Sequence, residues 1–554
     1  DEIQDLLEMP NVSPVVSGRV TEILYEQETG LWQCALASAL TTATTAHDWK
    51  MPPNLEAELN GLILALCWPL SGQNMGEIRR TVDERSSLNA TQNKDINQQE
   101  AAAVVDGVAK SASPEVAVRL LTSDQTGSAG LSKYMEEFFL TYRSFLEPER
   151  LLALLIAEFV VYADLDSVSQ IESPKDQRSA TMSSLPKHAT DAEQGQRNTV
   201  NVVTDVDIIR GIQRRKLRSA NALRFWVENH GSRDFDPPLT ASFVAAVFEF
   251  VLFRDKKLAR FLLGAVGRCL RLVSNTGHRW AGHHQGPVLS KDWPPVLRPA
   301  REGRWWHRKV LRFLAWPPLE VARQLSLRES TLFQNVKLYE LLDCAWSKPD
   351  KATRAPGILA LTANFNEIAA WAVASILHAE RSSDRAFIIS FFIEVAHECA
   401  HSLNNFATAR AIVAGLSNAA VHRLKQSWEQ VPAAQTENIK ALSALFDTAR
   451  SYAAIRAALR DARPPCIPYL GIYLTDLTFI ADGNPSRTAT GEVNLVKNRL
   501  TAQVIAKMQL YQQEGRYSLH PDVPLQQLIA SALSAKFQDD EVLFKRSLEV
   551  EPRT

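Results

Sequence analysis

The sequence predicts an all-α protein. Three observations carry this. Beyond residue 112, apolar residues recur at three- and four-residue spacing through most of the chain, as in Phe365, Ile368, Trp371, Ala372 and Ile376, where one helix face becomes apolar. Prolines stand where helices open: Pro148 precedes the apolar run 151–159, and Pro317 and Pro318 precede Leu319, Ala322, Leu325 and Leu332. There is no internal repeat and no sustained heptad, which leaves compact bundles rather than a solenoid or coiled coil.

Taken in order, residues 1–111 carry no assignable pattern. Residues 31–46 are rich in Ala and Thr, and 89–100 are polar and linker-like. The longest uncharged apolar run, 61–70, is about half of a membrane span, so no transmembrane segment is expected. Residues 112–274 read as a smaller helical domain. It is interrupted at about 160–206 by a Ser-, Thr-, Gln- and Asp-rich insertion with few large apolar residues, expected to be unstructured. Residues 275–308 form a Gly- and Pro-containing linker. Its His278, His283 and His284 have no cysteine partner and no regular spacing, so no metal site is expected there. The segment 309–554 is a second, larger helical domain.

Within that domain, residues 464–485 admit two readings. Ile472, Tyr473, Thr475, Thr478, Phe479 and Ile480 are strand formers, and periodicity alone makes the segment a buried strand. On a helix, Thr475, Thr478 and Asp482 stand at i, i+3 and i+7 and share one face.

Composition narrows the function. The 554 residues make three or four domains by length, and 61 basic against 62 acidic side chains give no charge bias towards nucleic acid or an anionic surface. Cysteines at 34, 67, 269, 344, 399 and 466 form no CxxC, as expected of reduced thiols in a cytoplasmic protein. Beginning at Asp1 with no signal peptide, the chain reads as a piece of something longer.

One motif points to covalent chemistry. His397-Glu398-Cys399-Ala400-His401 fits H-E-x-x-H, in which two histidines one turn apart hold zinc and the glutamate acts as general base. Against a zinc hydrolase, Ile388, Phe391, Phe392, Val395 and Cys399 trace an apolar face. Ser390, Glu394, His397 and His401 trace the polar one, as on an ordinary half-buried helix. No third ligand follows: Asn404 stands where the extended pattern has Gly, and the next acid is Glu429. No metal and no cofactor are expected.

The same residues belong to a second set. Leu403-Asn404-Asn405-Phe406, Pro318 to Leu325, Glu340-Leu341-Leu342 with Trp346-Ser347-Lys348, Gly415-Leu416-Ser417-Asn418, His422-Arg423-Leu424-Lys425 and the segment 464–485 occur in one order, followed by the tail 544–553. Upstream, residues 138–145 and 217–230 complete the set. Together these blocks resemble the Ras guanine-nucleotide exchange factor family, of son-of-sevenless and fungal type, over roughly residues 112–554. The chain departs from the family pattern at the hairpin tip, where Ala481 replaces one acid and Asp482 shortens the other. It departs again at 494–499, at Ala407 and at 363–366.

The resemblance implies a helical-bundle catalytic domain with a projecting helical hairpin, arms 469–482 and 493–513, held by the N-terminal domain. It implies a partner, a Ras-family small GTPase of Ras or Rap type, from which GDP is released so that GTP binds. Thr478 would enter the magnesium region and Asp482 would place a carboxylate where the phosphate sits. Tyr469 and Thr475 would line the contact surface, and Asn418 and His422 would hold switch II. On the residues alone, Asn418 also reads as a helix cap and Asp482 as a turn acid before Gly483. The alternative is a non-catalytic GTPase-binding scaffold of the same fold. Nucleic acid is not an expected partner. The expected place of action is the cytoplasmic face of the membrane that anchors the GTPase, reached through the GTPase or through further modules.

Overall fold

The structure is a computed structural model. It describes residues 36, 53–88, 92, 95, 98–100, 103–105, 108–124, 127–171, 205–281, 309–514, 517–534 and 540–552. The chain divides into two units, residues 1–283 with 486–496, and residues 284–485 with 497–554. Both are helical, and the described strands are two-residue pieces.

In the first unit the order is α1 (Pro53–Ser86), β1 (Val104–Val105), β2 (Val108–Ala109), β3 (Ser111–Ala112), α2 (Pro114–Arg119), α3 (Gly127–Thr141), α4 (Pro148–Ile171), α5 (Asp205–Asp234), α6 (Pro237–Ala246) and α7 (Lys256–Ala281). Helix starts follow local chemistry. Ser113 caps α2 by accepting from the Val116 N–H. Asp236 caps α6 by accepting from Leu239, with prolines in that first turn. The two blocks that the sequence separates by the insertion meet in the core. Phe139 of α3 stacks on Trp226 of α5 at 6.1 Å, and Phe235 packs edge-on to Trp226 at 4.8 Å. Asp234 ties this cluster together: the Tyr142 hydroxyl and the Trp226 indole N–H both donate to its Oδ2, and Arg143 pairs with Oδ1.

Three boundaries differ from the sequence expectation. Helix α4 continues to Ile171, about ten residues into the region expected to be unstructured, because Val160 and Ala163 still face the core. The rest of that insertion, 172–204, lies outside the described residues. Helix α7 reaches Ala281, so the expected linker begins later, and its His283 and His284 also fall outside them. The N-terminal region contributes α1, whose Ile63, Cys67, Met75, Ile78 and Val82 are buried in the same core against α4 and α6. Asn74 donates to the Ser242 hydroxyl, and Arg79 forms a two-pronged pair with Glu249.

Residues 486–496 belong to this unit as well. Val493 and Asn494 form β4, which pairs antiparallel with β3 in the register Ala112–Val493 and Ser111–Asn494. The Leu495 N–H donates to the Lys110 carbonyl, the Ser111 hydroxyl donates to Glu492, and Val493 and Leu495 enter the hydrophobic core.

The second unit contains α8 (Pro318–Asn335), α9 (Pro356–His378), α10 (Ser382–His397), α11 (Phe406–Leu416), the short α12 (Ala419–His422), α13 (Ala433–Leu445), α14 (Ala449–Asp461), α15 (Leu470–Gly483), α16 (Leu495–Glu514), α17 (Val523–Leu533) and α18 (Asp540–Val550). The first turn of α16 is shared with the first unit. Segment 470–483 is therefore a helix, and the strand reading fails. On α8 the buried stripe is Val321, Ala322, Leu325 and Phe333, turned slightly from the expected one, since Leu319 and Leu332 are only half-buried. On α9 the expected stripe holds for Ile368, Trp371, Ala372 and Ile376. Trp371 packs edge-on to Phe313 at 4.6 Å and to Phe392 at 5.1 Å.

By length and composition α9 is long and apolar enough to cross a membrane. Its apolar side faces this bundle core, and Asn364 and Ser375 are buried along it. At the α9–α11 crossing, Gly415 is required because a Cβ there would stand 2.5 Å from the Ala369 carbonyl oxygen. The tail is anchored by Glu551, which is buried, pairs with Arg385 at 3.2 Å and accepts from the Ser427 hydroxyl and the Gln426 N–H.

The core also holds a buried acid, Glu329. It accepts from the Asn364 amide, whose oxygen in turn accepts from Arg328. Burial pushes its carboxyl up to about 7, with Asn364 and Arg328 acting the other way. The folded pKa lies above the ordinary 4.5, so the folded protein keeps a proton that the unfolded chain releases. The stabilisation is complete below pH 4.5 and is lost as pH rises through 7, up to about 3 kcal/mol. Glu329→Gln is expected to remove that pH dependence and to be more stable than the parent at pH 8. Parallel stability curves for the two between pH 5 and 8 would contradict it.

Candidate functional site: the helical hairpin

The hairpin is built from α15 and α16, close to the arms that the sequence implied. Its entry is organised by the Leu403–Phe406 motif. Asn404, at φ 51°, donates through Nδ2 to the Arg463 carbonyl, and its own carbonyl accepts from the Ile467 N–H. Asn405 is fully buried; it caps α11 by accepting from Thr408 and donates to Ser326 of α8. The Phe406 N–H donates to the Ile467 carbonyl. The motif thus fixes the chain that enters α15.

Most of α15 is committed to packing. Leu470, Ile472, Tyr473 and Leu477 are buried, Tyr473 is hydrogen-bonded to Tyr511 of α16, and the Tyr511 hydroxyl donates to the Leu459 carbonyl. Asp476 takes both prongs of Arg456 from α14 at 2.7 and 2.9 Å. On α16 the buried residues are Leu495, Ala502, Val504, Ile505, Met508 and Gln512, while Val496, Leu500 and Tyr511 are half-buried.

At the N-terminus of α15, Tyr469 is half-buried between the Phe365 ring, 5.7 Å away, and the Arg410 guanidinium, 5.9 Å from its centroid. Burial raises its phenol pKa. Gly471 makes this arrangement fit, since a Cβ there would lie 2.4 Å from the Tyr469 ring.

One face remains. Thr475 and Thr478 turn their hydroxyls back to the carbonyls of Gly471 and Leu474, and Thr478 and Asp482 are exposed. Phe479 lies on the same face, four residues from Thr475 and three from Asp482, and is 68% exposed. It is the residue the sequence reasoning missed, because an aromatic in an apolar run reads as core.

Beside this face, Asp343 and Cys344 both adopt positive φ, 52° and 54°. The Cys344 thiol lies 3.8 Å from the Leu477 carbonyl and is hydrogen-bonded to Thr478; burial is the main cause of its raised pKa. Burial also raises the Asp343 carboxyl, opposed by Lys497, Arg354 and Lys348. Asp482 stands in the last turn of α15, at the helix end where the dipole disfavours an anion.

Asn418 caps α12, accepting from the Ala420 N–H at 2.9 Å, and its Nδ2 reaches Asp540 at 3.3 Å. The cap reading holds for it. His422, at the end of the same short helix, is exposed. The structure thus places Thr475, Thr478 and Asp482 on one face of α15 with Tyr469 at its N-cap, and sets the cap Asn418 and His422 at the two ends of α12.

The H-E-x-x-H motif falls where α10 gives way to a π turn, Glu398–Ser402. His397 and His401 face each other with ring centroids 4.5 Å apart, and the apolar face from Ile388 to Cys399 is buried as expected. Burial lowers the His401 pKa, with His397 acting in the same direction and Glu398 against it. Among the described residues no group of three or more His, Cys, Asp or Glu side chains could hold a metal.

Residues 320–499 match the RasGEF domain, and residues 108–250 match the RasGEF N-terminal motif. The chain belongs to the Ras guanine-nucleotide exchange factor family. It is 31% identical to Ras guanine nucleotide exchange factor J of Dictyostelium discoideum over 80% of this chain and 48% of that protein. With Ras guanine nucleotide exchange factor I of the same organism it shares 32% identity over 80% of this chain and 47% of that protein. With Ras-specific guanine nucleotide-releasing factor 1 of Mus musculus it shares 31% over 61% of this chain and 25% of that protein. The chain spans about half the length of the first two relatives. The RasGEF match runs from α8 through the hairpin loop into α16.

Proposed function

We propose that this chain catalyses GDP release from a Ras-like small GTPase of Ras or Rap type, so that GTP binds. The reading rests on the α15 face. Leu470, Ile472, Tyr473 and Leu477 are buried and Asp476 is ion-paired, while Thr478, Phe479 and Asp482 are exposed and the half-buried Thr475 shares their face, in a domain of the exchange-factor family. No bond is made or broken in such a reaction. The task is energetic: nucleotide held at picomolar affinity must be offset by roughly 16 kcal/mol of other contacts. That calls for an interface above about 2,000 Å².

On this reading α15 displaces the loop that covers the nucleotide. Thr478 enters the magnesium region, and the Asp482 carboxylate takes the place of a phosphate, repelling it and occupying its hydrogen-bond donors. Tyr469 and Thr475 shape the contact surface, and His422 with the α12 cap Asn418 holds the second mobile loop of the GTPase. The chain acts at the cytoplasmic face of the membrane where the GTPase is anchored.

Timing the release of fluorescent GDP from Ras, Rap and Ral proteins tests the proposal. Acceleration of at least one is expected; binding without acceleration identifies a scaffold of the same fold. Phe479→Ala is expected to lower the release rate roughly tenfold or more, as for an aromatic at an interface centre, with stability held within about 0.5 kcal/mol. An unchanged rate would remove Phe479 from the contact surface.

A further inference from the structure

The most exposed large apolar side chain among the described residues belongs to the first unit. Phe253 is 86% exposed at the turn between the π-helical end of α6 and the start of α7. Looseness does not account for this exposure, because the turn is pinned on both sides. The Arg254 and Asp255 N–H groups donate to the Val251 carbonyl, and the Asp255 carboxylate caps α7 by accepting from Lys257 and Leu258. The Arg254 guanidinium grips Asp164 at 2.7 and 3.2 Å and reaches the Phe250 carbonyl. A rigid turn thus holds an aromatic ring out into solvent.

Its surroundings are basic. Residues 252–261 carry four basic side chains and one acidic one. Lys256 and Lys257 are exposed and enter no ion pair among the described residues, Arg260 follows one turn on, and Phe261 is partly exposed on the same side. Of the acids around it, Asp164 is paired with Arg254, and Asp255 shares Lys216, 3.4 Å away, with Asp166.

We propose that this turn is a membrane-anchoring element, with Phe253 entering the headgroup boundary of an anionic bilayer and Lys256 and Lys257 meeting lipid phosphates. A bilayer interface accepts a single protruding aromatic without a shaped pocket, whereas a protein partner would have to supply one for a convex tip. The charge sign selects anionic over neutral lipid.

Co-sedimentation of the full chain with vesicles tests it. Stronger binding to vesicles containing phosphatidylserine than to purely phosphatidylcholine vesicles is expected. Each lysine near such a surface is worth about fivefold in partition. Lys256→Glu with Lys257→Glu should therefore weaken binding at least twentyfold, and Phe253→Ala roughly tenfold. Lys440→Glu with Lys545→Glu, an equal charge change at exposed lysines of the second unit, should do much less. Equal losses in the two double variants would overturn the assignment. No binding of the parent to anionic vesicles would also overturn it, and would leave the turn to an acidic protein surface. Unchanged melting temperatures exclude misfolding of the variants.

Discussion

Thr478→Arg is expected to cut GDP release roughly a hundredfold or more while leaving the fold intact. Thr478 is exposed; its hydroxyl bonds the Leu474 carbonyl of its own helix and lies against the Cys344 thiol, so little tertiary packing is lost. Arginine is also the better helix former, and surface changes of this kind stay within about 0.5 kcal/mol. The guanidinium would project from the exposed face, one turn before Asp482 and beside Phe479, where the GTPase must seat. A bulky charge buried there without a partner costs several kcal/mol. Release kinetics and a melting curve on one preparation check both halves. A variant that exchanges like the parent would show that this face of α15 does not meet the GTPase.

Val493→Asp is expected to have the largest effect on stability. Val493 belongs to the loop between the hairpin helices, yet its side chain sits in the core of the first unit, and its backbone pairs with Ala112. A carboxylate there would be buried among apolar side chains, and the cost is expected to be roughly 3 kcal/mol or more. Because the same loop joins α15 to α16, exchange should fall with it. Val493→Ala should show a smaller loss in the same direction. Unchanged unfolding of Val493→Asp would mean that this loop is not part of the first unit's core.

Much of the fold was legible because burial follows period on long helices. The stripe Ile368, Trp371, Ala372 and Ile376 reads directly as a core face. Helix α1 was less legible: its buried positions do recur at helical spacing, but Ser71 interrupts them and the uniformly apolar stretch 61–70 hides which side turns inward. Segment 470–483 was misleading by propensity. Its inner face uses Ile472 and Tyr473, types that favour strands, beside Leu477, and packing against α16 and α14 overrides that preference of about 1 kcal/mol. The site residues on α15 followed from the family resemblance and share the face that helical spacing gives. Phe479 and the left-handed pair Asp343 and Cys344 depend on tertiary surroundings, which no local pattern encodes.

Exchange by the hairpin requires that the chain bind the nucleotide-free GTPase far better than the GDP-bound form, since a partner with equal affinity for both shifts nothing. Titrating the chain against one GTPase, with GDP and magnesium bound and again stripped of both, measures that difference directly. The expected result is tight binding of the stripped form, reversed by added GTP, with a preference of at least 10⁴-fold over the GDP form. Asp482→Ala should narrow the preference. Equal affinity for the two forms would contradict nucleotide release by the α15 face.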